Sequence, residues 1–190
     1  MEVIIRSLKD LKKVLYDRPW AKTAPGFVVY RVRRGVRTKN RLRYDETTLL
    51  PRRLGREFPK TFGHEHPPQY TELMKVRRGQ AVFLLQKDEG KIIQDAYFCQ
   101  AKAGQAVISP PGYSHVTINP TKKVLKIGTW LSESCPSSYE NIKKMAGAGY
   151  FLTEGGWRKN KNYSKISKLK EKKPLSKVPQ NLNFLKPGGC

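Results

Sequence analysis

Six short runs of β-branched, aromatic and aliphatic residues, each closed within a few positions by glycine, proline or charge, constrain this chain more than any other feature. They are Phe27-Val-Val-Tyr-Arg-Val, Thr47-Thr-Leu-Leu, Glu72-Leu-Met-Lys-Val, Ala81-Val-Phe-Leu-Leu, Gln105-Ala-Val-Ile and Val124-Leu-Lys-Ile. Strand-prone runs so closely spaced fold back on one another as a sandwich or barrel. Ahead of them Leu8, Leu11, Val14 and Leu15 recur at helical spacing until Pro19 ends the pattern, which predicts one short amphipathic helix. A second short helix is expected over residues 138–144, after the strand runs. The expected class is all-β, with a short helix at each end.

With 190 residues, 38% of them hydrophobic, the chain can bury one real core. Lysine and arginine number 38 against 15 acids, a formal charge of +23, so an acidic substrate or partner has to be considered. Cys99, Cys135 and Cys190 form no C-x-x-C pair, which indicates neither a zinc ribbon nor a disulfide framework and suits a reducing, cytoplasmic setting. The first residues carry Glu2, Asp10 and Asp17 among their apolar positions, so no signal peptide is expected there, and no stretch reaches membrane length. Residues 158–190 hold ten basic residues and one acid, Glu171, among Asn, Ser and Pro. They read as a Lys-rich tail on a folded unit of residues 1–157, and the folded unit is itself basic.

Only three histidines are present, and two stand in His64-Glu-His66. Alternate residues of a strand share a face, so His64 and His66 can share one ion. Glu72 opens the next strand run after Pro67-Pro68 and comes within reach if the two strands pair as a hairpin, while His115 follows a second turn at Pro110-Pro-Gly. Imidazoles with a carboxylate suit a first-row divalent metal.

Gly104 to Asn119 reads G-x5-P-x-G-x2-H-x3-N, which resembles the second motif of the cupins, and Glu72 to Gly79 resembles the E-x6-G that ends their first. Five residues, rather than the three or four of most cupins, separate His66 from Glu72. The stretch from Thr47 to His66, TTLLPRRLGREFPKTFGHEH, is similar to that of the cupin-type glucose-6-phosphate isomerases known from archaea. Val28-Val-Tyr and Ser138-Tyr-Glu-Asn-Ile resemble the same family, so that the likeness runs roughly from Ser7 to Tyr150. It implies a cupin jelly-roll barrel or sandwich, a homodimer, and one divalent ion per subunit on His64, His66, Glu72 and His115, Fe(II) first, with Mn, Ni or Zn as the other candidates. It also implies interconversion of glucose 6-phosphate and fructose 6-phosphate, by proton transfer or hydride shift. Tyr30, Thr48, Thr61 and Gly63 become substrate-binding candidates, and Glu72 and Tyr139 catalytic candidates. One match fails: two residues after the metal glutamate the family carries a tyrosine, and this chain has Met74.

Two other readings stay open at this level. A cupin with the same metal can be a dioxygenase, which the threonines of the phosphate end argue against. A basic cupin can instead be regulatory, binding a sugar phosphate or a nucleic acid, although charge is the only feature that points to nucleic acid.

Overall fold

The computed structural model describes residues 1–187; Cys190 and the last residues of the Lys-rich segment lie outside the described residues. Among the described residues fourteen strands are formed: β1 (Glu2–Ser7), β2 (Val28–Lys39), β3 (Leu42–Leu49), β4 (His64–Glu65), β5 (Glu72–Arg78), β6 (Gln80–Glu89), β7 (Ile92–Lys102), β8 (Ala106–Ser109), β9 (Ser114–Ile118), β10 (Leu125–Ser132), β11 (Tyr150–Thr153), β12 (Gly156–Lys159), β13 (Lys165–Ile166) and β14 (Leu169–Glu171). One sheet runs β1-β2-β3-β10-β5-β8 and the other β13-β7-β6-β9-β4, with β14 also on β7. Residues of both sheets, among them Val29, Leu49, Val76, Leu84, Val116 and Ile127, share one buried cluster, the core of the expected sandwich.

The short N-terminal helix, α1 (Leu8–Leu11), continues as a 3-10 turn through Val14 and packs Leu8, Leu11, Val14 and Leu15 into that core. A reciprocal capping box between Ser7 and Asp10 starts it. A second short helix, α2 (Arg18–Thr23), begins at Asp17, whose side chain accepts from the Trp20 N–H; Pro19 therefore helps to start this helix as well as ending the first pattern. The expected late helix forms as α3 (Glu140–Lys144).

Lys60 and Glu57 make an ion pair of 2.6 Å that is almost wholly buried. Lys60 Nζ also donates to the Val14 carbonyl at 2.8 Å, and the Tyr16 N–H donates to Glu57 at 2.9 Å. Desolvation pushes the Glu57 carboxyl up and the Lys60 ammonium down, each opposed by the other's charge. The pair ties the N-terminal segment to the loop that leads into His64.

The segment expected to be a tail is instead laid against the sandwich throughout its described part. The Asn160 side chain, 3% exposed, donates to the carbonyls of Met145 and Ala148 at the end of α3. β13 and β14 extend the edge strand β7 in parallel. Leu175 exchanges backbone hydrogen bonds with Ala106 of β8, on the other sheet. Beyond it, the fully buried Leu185 packs with Val178, Leu182 and Phe184 over Leu42, Leu73, Ala106 and Trp130. Four apolar side chains spaced through a lysine-rich stretch suffice, because the outward face of the first sheet supplies the rest of that core.

Candidate metal centre

β4 lies beside β9 with His64 directly opposite His115, so sheet pairing alone brings two imidazoles together. Glu72 heads β5 in the other sheet, so the carboxylate reaches the histidines from across the sandwich. The expected hairpin between the His-Glu-His strand and β5 does not form, because the five residues 67–71 carry the chain from one sheet to the other. His64 and His66 do share a face, their Nε2 atoms 3.2 Å apart.

Glu72 Oε2 stands 2.7 Å from His66 Nε2, 3.1 Å from His115 Nε2 and 3.7 Å from His64 Nε2. All four donor atoms lie within 4.8 Å of one another, a set that can hold a metal ion. Donors about 2.1 Å from a shared ion in neighbouring octahedral positions are ~3.0 Å apart, so these separations fit a first-row divalent metal. The outer partners fix the rings: His66 Nδ1–H donates to the Pro136 carbonyl at 2.7 Å, and His115 Nδ1 meets Ser109 Oγ at 3.3 Å, which turns both Nε2 atoms inward.

Burial and the neighbouring His115 push His64 down to about 4. Burial opposes charge on His66 too, but the hydrogen bonds and charges of Cys135 and Glu72 outweigh it and raise that imidazole to about 10. Burial works against the Glu72 anion, yet His115, His64 and His66 hold its carboxyl well below the usual range.

His64, Glu72 and His115 of the cluster line a cleft. Its walls follow strand alternation: Ile4 and Arg6 on β1, Tyr30, Val32 and Arg34 on β2, Arg43, Asp45 and Thr47 on β3, Thr129 and Leu131 on β10, Glu72 and Met74 on β5. Of the substrate-binding candidates, Tyr30, Thr61 and Gly63 line this cleft. Thr48 does not: on β3 the odd-numbered positions face inward, so Thr47 occupies the wall and Thr48 the opposite face, beside Arg33 and Lys126. Thr61 exchanges bonds with Thr117, whose N–H donates to Thr61 Oγ1 at 3.0 Å, leaving the Thr61 hydroxyl proton to donate elsewhere. Gly63 has φ +86°, and a Cβ there would come 2.7 Å from Val116 Cγ2, so the backbone beside His64 requires glycine.

The Tyr30 hydroxyl accepts the Phe62 N–H at 3.2 Å, and burial pushes its pKa up to about 12. Tyr139 caps α3, with its ring centroid 5.7 Å from that of His64. Met74, 2% exposed, takes the position of the family tyrosine on the cleft floor, paired in register with Thr129. Sequence reasoning missed Arg6, Asp45 and Thr129. Stepping back by twos from Thr47 finds Asp45, stepping on from Ile127 finds Thr129, and Val3-Ile4-Ile5 is the β-branched signal that would have placed Arg6 on a strand.

The sequence model of the family described as Glucose-6-phosphate isomerase (GPI) matches residues 6–168. The glucose-6-phosphate isomerase of Thermococcus gammatolerans is 25% identical over 159 residues, covering 80% of this chain and 82% of that protein. The protein of the same name from Thermococcus litoralis is 30% identical over 122 residues, covering 60% of this chain and 62% of that protein. Among solved structures, oxalate oxidase in complex with glycolate aligns at 18% identity with a TM-score of 0.46, over 58% of this chain and 54% of that chain.

Proposed function

The chain belongs to the glucose-6-phosphate isomerase family, and from that premise we propose that it interconverts glucose 6-phosphate and fructose 6-phosphate with a divalent metal held by His64, His66, Glu72 and His115. The observation that carries this reading is that His64, Glu72 and His115 line the same cleft as Thr61 and Gly63, so that metal donors and phosphate donors open onto one space. An open-chain hexose 6-phosphate has its carbonyl at one end and its phosphate at the other, and so calls for both kinds of donor in one cleft.

A divalent cation, when bound, supplies charge stabilisation to the oxygen that becomes negative as a proton moves between C2 and C1. Fe(II) is the metal we assign, following the family resemblance, and it is one of the first-row divalent ions that the imidazole and carboxylate donor set accommodates. Glu72, held as an anion by three imidazoles, is a metal-holding group and a poor base. Tyr139, on the far side of the His64 ring, is the protein hydroxyl we assign to handling that proton. Thr61 and the backbone amide of Gly63 hold the phosphate, and the Tyr30 hydroxyl, turned inward beside Phe62, orients the sugar.

Protein stripped by chelator and reconstituted singly with Fe(II), Mn, Ni or Zn is to be assayed for conversion of fructose 6-phosphate to glucose 6-phosphate. Activity should return with metal and be highest with Fe(II). Metal-loaded protein that binds hexose phosphates and converts none of them would leave the regulatory reading in its place.

The chain is further proposed to work as a homodimer joined through β1. That strand ends its sheet, and Met1, Val3 and Ile5, 77%, 55% and 53% exposed, form an apolar row along it. Replacing Val3 and Ile5 by Asp should convert a dimer into a monomer in sedimentation; a wild-type monomer at working concentration refutes the assignment.

A further inference from the structure

We infer that Arg6 is a substrate-binding residue that sets the requirement for a phosphorylated sugar; the inference rests on the isomerase reading only for the identity of the anion. Three arginines line the cleft, Arg6, Arg34 and Arg43. Arg43 is engaged: its Nε donates to both Asp45 oxygens at 3.0 and 3.1 Å. Arg34 is drawn toward Glu2 at 3.7 Å. Among the described residues Arg6 enters no ion pair. The acid that feels its charge, Asp10, is already taken by the N–H and hydroxyl of Ser7.

Its position points to an anion. Arg6 lies opposite Tyr30 in the register of β1 with β2, and the pairing shifts directly after it, between Arg6 and Ser7. Such an irregularity turns a side chain away from the plain alternation of an edge strand. The guanidinium carbon sits 5.9 Å from the centre of the Tyr139 ring, and the Arg6 charge acts on the Tyr30 hydroxyl. Tyr30 in turn accepts from Phe62, between Thr61 and Gly63. A planar, permanently charged fork with several N–H donors therefore stands in the corner of the cleft that also holds the Thr61 hydroxyl and the Gly63 backbone. Arginine in such a corner recognises a phosphate by paired N–H···O bonds, which a neutral hydroxyl cannot match. Of the three arginines on the wall, Arg6 is the one that faces no acid partner, so its charge is the one left to separate a sugar phosphate from the free sugar.

The test uses the metal-loaded, full-length protein and two variants, Arg6→Ala and Arg6→Lys, each checked for an unchanged circular dichroism spectrum. Steady-state kinetics with fructose 6-phosphate are paired with calorimetric binding of fructose 6-phosphate and of unphosphorylated fructose, so that an answer is obtained even if no interconversion occurs. For Arg6→Ala the KM and the dissociation constant for fructose 6-phosphate should rise about 10- to 100-fold, the worth of a charge-assisted pair, with kcat within about twofold. Binding of fructose should not change, and the weakening of fructose 6-phosphate binding by salt should flatten. Arg6→Lys should recover part of the loss. Unaltered affinity for fructose 6-phosphate in Arg6→Ala, or an equal loss for fructose, overturns the assignment. Wild-type protein that binds fructose 6-phosphate through Arg6 without converting it would defeat the isomerase reading and leave this one standing.

Discussion

Replacing Leu185 by Ala tests whether the basic C-terminal segment is part of the folded molecule. Leu185 is 0% exposed and closes a small core with Leu42, Leu73 and Ala106, themselves 5%, 0% and 0% exposed. Truncating a wholly buried leucine costs about 2–5 kcal/mol, the transfer of the lost methyls plus the cavity left behind. The strap is a single covering layer that can settle inward, so the lower half of that range is expected, about 2–3 kcal/mol. With a urea m-value of about 2–3 kcal/mol per molar for a chain of this size, the unfolding midpoint should fall by about 1 M. Leu175, 37% exposed and held by backbone bonds to Ala106, is the control, and its Ala variant should move the midpoint far less. Specific activity of folded Leu185→Ala should equal that of the wild type, since Leu73 and Trp130 face away from the cleft that Glu72, Met74 and Thr129 line. A midpoint unchanged within about 0.2 M would show that the strap is not docked in solution, and the reasoning from burial would fail.

Glu72→Gln should bind no stoichiometric metal, by elemental analysis after dialysis, and lose at least about 100-fold in kcat, because a neutral amide replaces the one anionic ligand. Lys60→Met leaves Glu57 buried without its partner and should cost about 3–5 kcal/mol in chemical denaturation, whereas the double change to two apolar residues should recover much of it. The raised pKa of Tyr30, about 12 from an ordinary 10.0, means that its phenol stays protonated in the fold while the unfolded chain ionises. Its contribution is therefore intact below about pH 10 and lost as the pH rises toward 12, about 2–3 kcal/mol in all. Tyr30→Phe should flatten the alkaline fall of the urea midpoint by that amount, and an unchanged slope would show that the hydroxyl is solvated.

The sequence alone determined the class of fold and the donor set. Period-2 runs bounded by Gly and Pro are local signals, because each strand's alternation is written in its own residues, and they announced the central strands of both sheets. His64 and His66 two apart, and a carboxylate at the head of a strand, likewise announce metal chemistry through residue type and spacing. Which sheet each group hangs from was not local. Glu72 reaches the histidines from the opposite sheet, because the strand after Pro67-Pro68 pairs with β8 and β10, and nothing within residues 64–72 encodes those partners. Thr48 and Thr47 are interchangeable in sequence, and only the register of β3 against β2 and β10 turns Thr47 inward. The basic C-terminal segment was the hardest to read. Val178, Leu182 and Leu185 stand at helical spacing, yet Pro179 interrupts it and only Asn183–Leu185 forms a 3-10 turn; the burial of Val178, Leu182, Phe184 and Leu185 depends on an apolar face built by residues 42, 73, 106 and 130. A segment that supplies half a core does not reveal it by its own spacing; the tertiary structure decides it by providing the other half.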